Sequence, residues 1–378
     1  MFYLILINLL LFSSGQIATI TRNGGLNIYL FDIFLFFSNF VIFGFLMKRG
    51  KFKINFPLIS FILFILFSFS ITLFQIYYFD FLSQFLILSY LIRFSSYFFF
   101  GYFVYLLVLN KLVTKDTLKR ILTINFWFLT TLNALQLVFL NNLSEFSQFG
   151  WDPHINRLTG SFLDPNFMAF YLCLYFILNK YFLHNKYIEY LTIISIFLTV
   201  SRNGILTFLI VLLLSTKLTI KKIIYFFIIM ILLLMFVPQI SNRFTQFSDS
   251  NDSSYQRLIS WNEGLKVANF SNFWGVGFNN YRNSAQFYKI NSGQELTKNS
   301  SNSVDSSLLF ILITTGAIGL GIFVFHLFSF TFQDKLIWQN IVLVVGLLFN
   351  SLFINSLFYP QTCLLLYLSL FMGLLEEN

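Results

Sequence analysis

YIEYLTIISIFLTVSRNGILTFLIVLLLSTK, residues 187–217, decides how many times the chain crosses a membrane and on which side every later loop lies. Read as one helix, it would be roughly 45 Å long at about 1.5 Å per residue, too long for a ~30 Å bilayer core without steep tilt. One helix would also carry Lys180 and Lys217 to opposite faces. Ser201-Arg202-Asn203-Gly204 is a turn signal in the middle of the stretch. We therefore read a hairpin with arms at 187–201 and 203–217, each roughly 22 Å long. Arms that short hold the tip, and Arg202 with it, below the outer surface. A charge at that depth is costly unless it faces protein or a wet cavity.

The rest of the chain is of the same kind. Of its 378 residues, 57% are hydrophobic and 10% charged, against about 25% charged in a soluble domain. Apolar stretches near 20 residues in length recur from end to end. That excludes two or three soluble domains and reads as a single all-α polytopic membrane domain over residues 1–378. The expected spans are 2–20, 27–47, 56–77, 81–109, 120–142, 161–182, 187–201, 203–217, 220–240, 304–328, 334–352 and 355–375, about twelve in all. MFYLILINLLLF at the start lacks a basic flank and a small-residue cleavage site, and reads as a retained first helix. The 55 Phe residues are what an AT-rich genome produces and carry no functional weight.

Charge tests the count. With the N-terminus in the cytoplasm, fourteen basic residues fall in short inside loops: Lys48, Arg49, Lys51, Lys53, Lys111, Lys115, Lys119, Arg120, Lys180, Lys186, Lys217, Lys221, Lys222 and Lys335. Nine fall outside, six of them in the long loop 241–303 between the ninth and tenth spans. The bias obeys the positive-inside rule and leaves both termini cytoplasmic. A net charge of +9 distributed in this way reports topology and argues against nucleic-acid binding. Cys173 and Cys363 lie inside apolar runs, and His154, His184 and His326 have no ligand spacing. No disulfide framework, metal site or other cofactor is expected.

Three polar clusters share the outer face. In HINRLTGSFLDPNFMAF (154–170), Asp164-Pro165 is a helix start and Gly160 marks a turn, but capping requires neither Arg157 nor Asn166. The simpler account of Arg157 is an interfacial arginine whose side chain reaches up to the headgroups. Arg202 is an intramembrane charge, and Arg93, in LIRFSSY within the fourth span, is another. Arg257 opens RLISWNEGLKVANFSNFWGVGFNNY, where Arg257, Trp261, Gly264 and Leu265 have helical spacing. That segment reads as an amphipathic helix on the membrane, followed by a turn at Gly275-Val276-Gly277. Arginine clusters suit phosphate, through charge-assisted bonds of ~1.5–3 kcal/mol each. A pyrophosphate on a lipid carrier presents such acceptors at the right depth. A channel would need a polar path across the spans, and their inner halves show no matched acids.

RLTGSFLDPNFMAFY, FLTVSRNGILTFL, RLISWNEGLKVANFSNFWGVGFNNY and SNSVDSSLLFILITTGAIGLGIF occur in this order over residues 150–325. In that order they resemble the O-antigen polymerase and ligase superfamily, membrane glycosyltransferases of the Wzy and WaaL kind. The resemblance implies a GT-C-like fold of about twelve helices. It also implies a metal-independent transfer on the outer face of a bacterial cytoplasmic membrane, from a glycan on undecaprenyl diphosphate. On matching positions, Arg157, Arg202 and Arg257 would engage the diphosphate, with Asn166 and, less directly, Arg93 as further binding candidates. Family ligases carry a histidine late in the long loop, and this loop has none. Asp305, in SNSVDSS, takes a similar place and is the candidate base, with Glu263 as its rival. The simpler account of Asp305 is a helix cap. The missing histidine favours a repeat-unit polymerase over a ligase. A flippase, the alternative of another class, should show inverted repeats and short outer loops, and neither is evident. Expected partners are the undecaprenyl-diphosphate-linked oligosaccharide, the lipid bilayer and a chain-length regulator, with no nucleic acid.

Overall fold

A computed structural model describes residues 1–21, 28–75, 81–149, 152–215, 253–290, 304–332 and 335–375. The expected span 220–240 and the loop portions 241–252 and 291–303 lie outside the described residues. The described chain is helical apart from a two-stranded antiparallel ribbon of β1 (Thr19–Thr21) and β2 (Ile28–Tyr29). In chain order the helices are α1 (Phe2–Ser13), α2 (Leu30–Lys48), α3 (Phe56–Phe74), α4 (Phe81–Leu109), α5 (Lys115–Phe139), α6 (Pro165–Leu178), α7 (Lys186–Leu198) and α8 (Arg202–Ser215). They continue as α9 (Ser253–Phe270), α10 (Tyr281–Phe287), α11 (Ser307–Phe328), α12 (Trp338–Phe353) and α13 (Pro360–Gly373).

Among the described residues, six helices are long and apolar enough to cross a membrane: α2, α3, α4 from Ile87, α5, α6 with its continuation to Leu183, and α11. Four more, α1, α8, α12 and α13, are apolar but shorter. The first expected span, 2–20, ends early. Its helix stops at Ser13, where the Ser14 hydroxyl turns back to Leu11 O and Gly15 takes a φ of +59°. Within the 187–217 stretch, residues 187–215 form a hairpin, with α7 and α8 meeting at residues 199–201.

Local chemistry explains where these helices begin. Asn55, Thr114, Asp164, Asn185 and Ser306 each cap a helix by accepting a first-turn backbone N–H, and Pro57, Pro165 and Pro360 occupy first turns. Helices α4, α6 and α13 form the centre. From Met168 to Leu178 and from Gln361 to Gly373 every side chain is buried. Phe61, Phe94, Phe98, Tyr367 and Phe371 interlock there, with the Phe61 and Phe98 rings stacked 3.7 Å apart. In lipid such dispersion contacts, rather than water exclusion, hold helices together.

The bundle has two distinct ends. At one, the basic connections come together: Asn110 and Tyr102 donate to the Lys51 and Lys53 carbonyls, Lys115 to Leu375 O, and Trp338 to Leu214 O. The opposite end gathers the ends of α1, α5, α7 and α12 with the starts of α6, α8, α11 and α13. There α11 is broken. Gly316 has φ +74° and ψ −178°, a conformation open only to glycine. The loop after α9 fills the break. Val276 and Gly277 donate their amides to Ile313 O and Thr314 O at 3.0 and 2.9 Å, and Ala317 donates to Phe273 O at 3.0 Å. Gly275 and Gly277 both have φ +97°, so the predicted turn is present and is shaped to reach these carbonyls. Non-helical backbone at membrane depth is tolerable because it is paired within the protein.

Candidate functional site

Arg157 lies in the connection between α5 and α6 and is 7% exposed. Its Nε donates to Thr199 O at 2.9 Å and its Nη2 to Val200 O at 3.2 Å, while Nη1 lies 3.3 Å from His154 Nδ1. The guanidinium therefore braces the α7–α8 turn immediately before Arg202. Leu158 N donates to Leu198 O alongside it. Arg202 opens α8 and is half-buried. This contact was not legible from the motif: the sequence points Arg157 at a ligand, whereas the fold gives it the task of holding the turn that presents Arg202.

Asp164 caps α6 as expected, accepting from Asn166 N at 2.7 Å and Phe167 N at 3.4 Å. Burial raises its carboxyl above the ordinary range, opposed by those amides and by the charges of Arg157 and Arg257. Asn166 Oδ1 accepts from the Ser201 hydroxyl at 2.7 Å, tying the start of α6 to the same turn. Gly160 has φ +53°, and a Cβ there would collide with Asn133 Oδ1 and Met168. Gln136 of α5 holds this loop from behind. Its Oε1 accepts from Thr159 N and Gly160 N at 2.9 and 3.0 Å, and its Nε2 donates to Arg157 O at 3.2 Å.

The third cluster arrives on α9, which forms where the amphipathic segment was expected. Arg257 is half-buried on it. Asp305 is not the cap of α11. Ser306 is, through Leu309 N at 3.2 Å. The Asp305 backbone is gripped by α9 instead, donating to Ser260 Oγ at 3.2 Å and accepting from Trp261 Nε1 at 3.0 Å. Burial raises the Asp305 carboxyl; the Arg257 charge pulls it down, and Asp164 and Asp152 push it up. Arg157, Arg257, Asp164 and Asp305, from three distant segments, thus act on one another electrostatically. Glu263 is also raised by burial, but its opposing charge is Lys266. The Tyr281 hydroxyl is raised by burial and by the charges of Glu263 and Asp305.

Residues 350–361, NSLFINSLFYPQ, complete the site and were missed by the motif reading. Ser306 Oγ donates to Ser351 O at 2.9 Å, and Ser307 N and Oγ both donate to Ile354 O. Asn350 Nδ2 reaches Thr207 Oγ1 at 3.1 Å, and Asn203 Nδ2 reaches Asn350 O at 3.4 Å. Tyr359 stacks on Phe167 with ring centroids 4.1 Å apart; its hydroxyl donates to Phe162 O and accepts from Gln16 Nε2, both at 3.1 Å. Among the described residues, neither polar atom of the buried Gln361 side chain has a partner, and Asn350 Oδ1 and Ser356 Oγ are in the same state. Two Asn-Ser pairs interrupting an apolar run were the available signal.

Arg93 is not brought to this cluster. It pairs with Asp32 of α2, its Nε 3.0 Å from Asp32 Oδ1 and 2.8 Å from the Tyr97 hydroxyl, which donates to the same carboxylate oxygen at 2.8 Å. Its guanidinium also lies over the Tyr29 ring. A charge in a low-dielectric setting is held by the nearest opposite charge, and this pair joins α2 to α4.

Residues 180–324 match the family model described as O-Antigen ligase. No curated protein matches the chain.

Proposed function

We propose that this chain, whose matched region belongs to the O-antigen polymerase and ligase superfamily, lengthens a glycan by transferring it from a polyprenyl diphosphate to the next lipid-linked repeat. The observation that carries the reading is the convergence of Arg157, Arg257, Asp164 and Asp305 at one end of the bundle, beside the turn that presents Arg202. Arg202 and Arg257 hold the donor diphosphate, and Arg157 adds its charge while fixing the geometry of Arg202. An acceptor hydroxyl loses its proton to Asp305 and attacks the anomeric carbon, the bond to the diphosphate oxygen breaks, and polyprenyl diphosphate leaves. The negative charge that develops on that oxygen is stabilised by the guanidinium groups. Such a leaving group needs no acid, so a single base suffices. Burial raises the carboxyl, which suits a base, and the Arg257 charge opposes the rise.

The basic connections at the opposite end support a cytoplasmic location for that end and an external site. The absence of histidine from residues 241–303 favours polymerase over ligase. The glycan profile of a deletion strain tests this. A single repeat on the surface supports the polymerase, full-length polymer stranded on carrier lipid supports a ligase, and repeats trapped in the cytoplasmic leaflet support a flippase.

A further inference from the structure

Helices α2 and α4 border a cavity of about 290 Å³ that shares no lining residue with the charged cluster. Asp32, Arg93, Ser89 and Ser96 are its polar lining, and the exposed side chains of Ile33, Phe36 and Ile92 form an apolar rim. The ion pair is not sealed beneath it, for the Arg93 and Asp32 side chains are 14% and 18% exposed. The carboxylate is fully engaged. Its Oδ1 accepts from Arg93 Nε and the Tyr97 hydroxyl, and its Oδ2 from Arg93 Nη2 and Tyr29 N, which fills the about four lone-pair sites of a carboxylate. The guanidinium is not. Its Nε and Nη2 are spent on Asp32 and Tyr97, while Nη1 makes no hydrogen bond among the described residues. The cavity therefore has spare donors on Arg93 and no spare carboxylate.

We propose that this cavity holds one phospholipid of the leaflet at the site end, its phosphate accepting from Arg93 Nη1 and its acyl chains lying on Ile33, Phe36 and Ile92. Depth supports this. At about 1.5 Å per residue, Asp32 lies roughly 24 Å along α2 from Lys48, and Arg93 roughly 24 Å along α4 from Leu109. Both reference residues are at the basic end, so in a ~30 Å hydrocarbon core the pair sits just beneath the polar boundary at the site end, within reach of a long arginine side chain. An unmet N–H at that depth is costly, and the surrounding lipid must supply its acceptor. A free phosphate ion brings acceptors but nothing to cover the apolar rim, and diacylglycerol brings chains but no charge. Because Asp32 offsets the Arg93 charge, one phosphate charge fits the site better than a diphosphate. Because the carboxylate is engaged, it leaves no partner for an amine, and phosphatidylethanolamine and phosphatidylglycerol bind alike. The site stands whether or not a lipid diphosphate binds at the cluster.

Native mass spectrometry of the purified, delipidated full-length protein in detergent tests this. The probes are phosphatidylglycerol, phosphatidylethanolamine, a diacylglycerol with the same chains, and inorganic phosphate alone. The wild type should retain one tight equivalent of either phospholipid, bind the diacylglycerol about tenfold more weakly for want of a charge-assisted bond, and hold no inorganic phosphate. Asp32→Asn combined with Arg93→Gln removes both charges together. Ser96→Phe fills the cavity and leaves the ion pair intact, since the Ser96 hydroxyl donates only to Ile92 O of its own helix. Each change should abolish the tight phospholipid equivalent; if the charge-free variant does not fold, Ser96→Phe decides alone. Undiminished phospholipid retention in the folded variants overturns the proposal, as does diacylglycerol binding equal to that of phospholipid, or inorganic phosphate held without lipid.

Discussion

At the residue scale the proposed base is Asp305, which the fold relieves of capping and whose carboxyl feels the Arg257 charge. Asp305→Asn should abolish glycan transfer while donor binding, measured by competition, changes less than about twofold. A base works only when deprotonated, so turnover should fall as pH drops through a pKa lying above the ordinary carboxylate value. Arg257→Ala removes the charge that lowers that pKa, and the acid limb of the pH–rate profile should move to higher pH; an unmoved limb would separate Asp305 from Arg257. Arg157→Lys keeps the charge but cannot reach both Thr199 O and Val200 O. If Arg157 acts by positioning, its turnover should drop about as far as that of Arg157→Ala, whereas substantial rescue by lysine would favour a simple charge role. Motif spacing pointed to Arg157, Arg202, Arg257, Asp164 and Asn166 as one constellation, since each stands out against an apolar background. It misread Arg93, whose partner Asp32 lies 61 positions away, a distance that spacing cannot express. It passed over Gln16, Gln136 and Tyr359, because single uncharged polar residues vanish into a hydropathy window.

At the scale of elements, the hairpin of α7 and α8 was legible because Ser201-Arg202-Asn203-Gly204 punctuates a stretch too long for one crossing. The break in α11 was not. Thr314-Thr315-Gly316 sits in a run that reads as one uninterrupted span, and the break exists only because residues 273–278 come from elsewhere to pair with the opened carbonyls. Gly316→Ala should undo that pairing. A Cβ there would stand 2.5 Å from the Phe273 and Trp274 carbonyl oxygens, and the backbone conformation alone costs a non-glycine residue on the order of 1–3 kcal/mol. The amides of Val276 and Gly277 should exchange slowly with deuterium in the wild type and markedly faster in Gly316→Ala. Transfer should fall in parallel, since α9, which carries Arg257, is anchored through the same loop.

For the whole molecule, the arrangement of charged and basic ends predicts sidedness. On a background with Cys173 and Cys363 replaced, single cysteines at 155 and 258 should react with an impermeant thiol reagent in intact cells, and those at 53 and 111 only after permeabilisation. Reversal of that pattern would remove the external site. Three shorter apolar helices, α1, α12 and α13, have 12, 16 and 14 residues. At about 1.5 Å per residue they measure roughly 18–24 Å, against about 37 Å for α5. All three have one end at the site, so the deficit in length collects there. Lipid next to these helices must thin or dip to match them. If the proposed transfer is right, the protein should therefore sense its host membrane mechanically: in vesicles graded by acyl-chain length, turnover should peak in short-chain lipid and decline as the chains lengthen, because a thicker leaflet lifts the donor phosphates away from the guanidinium groups.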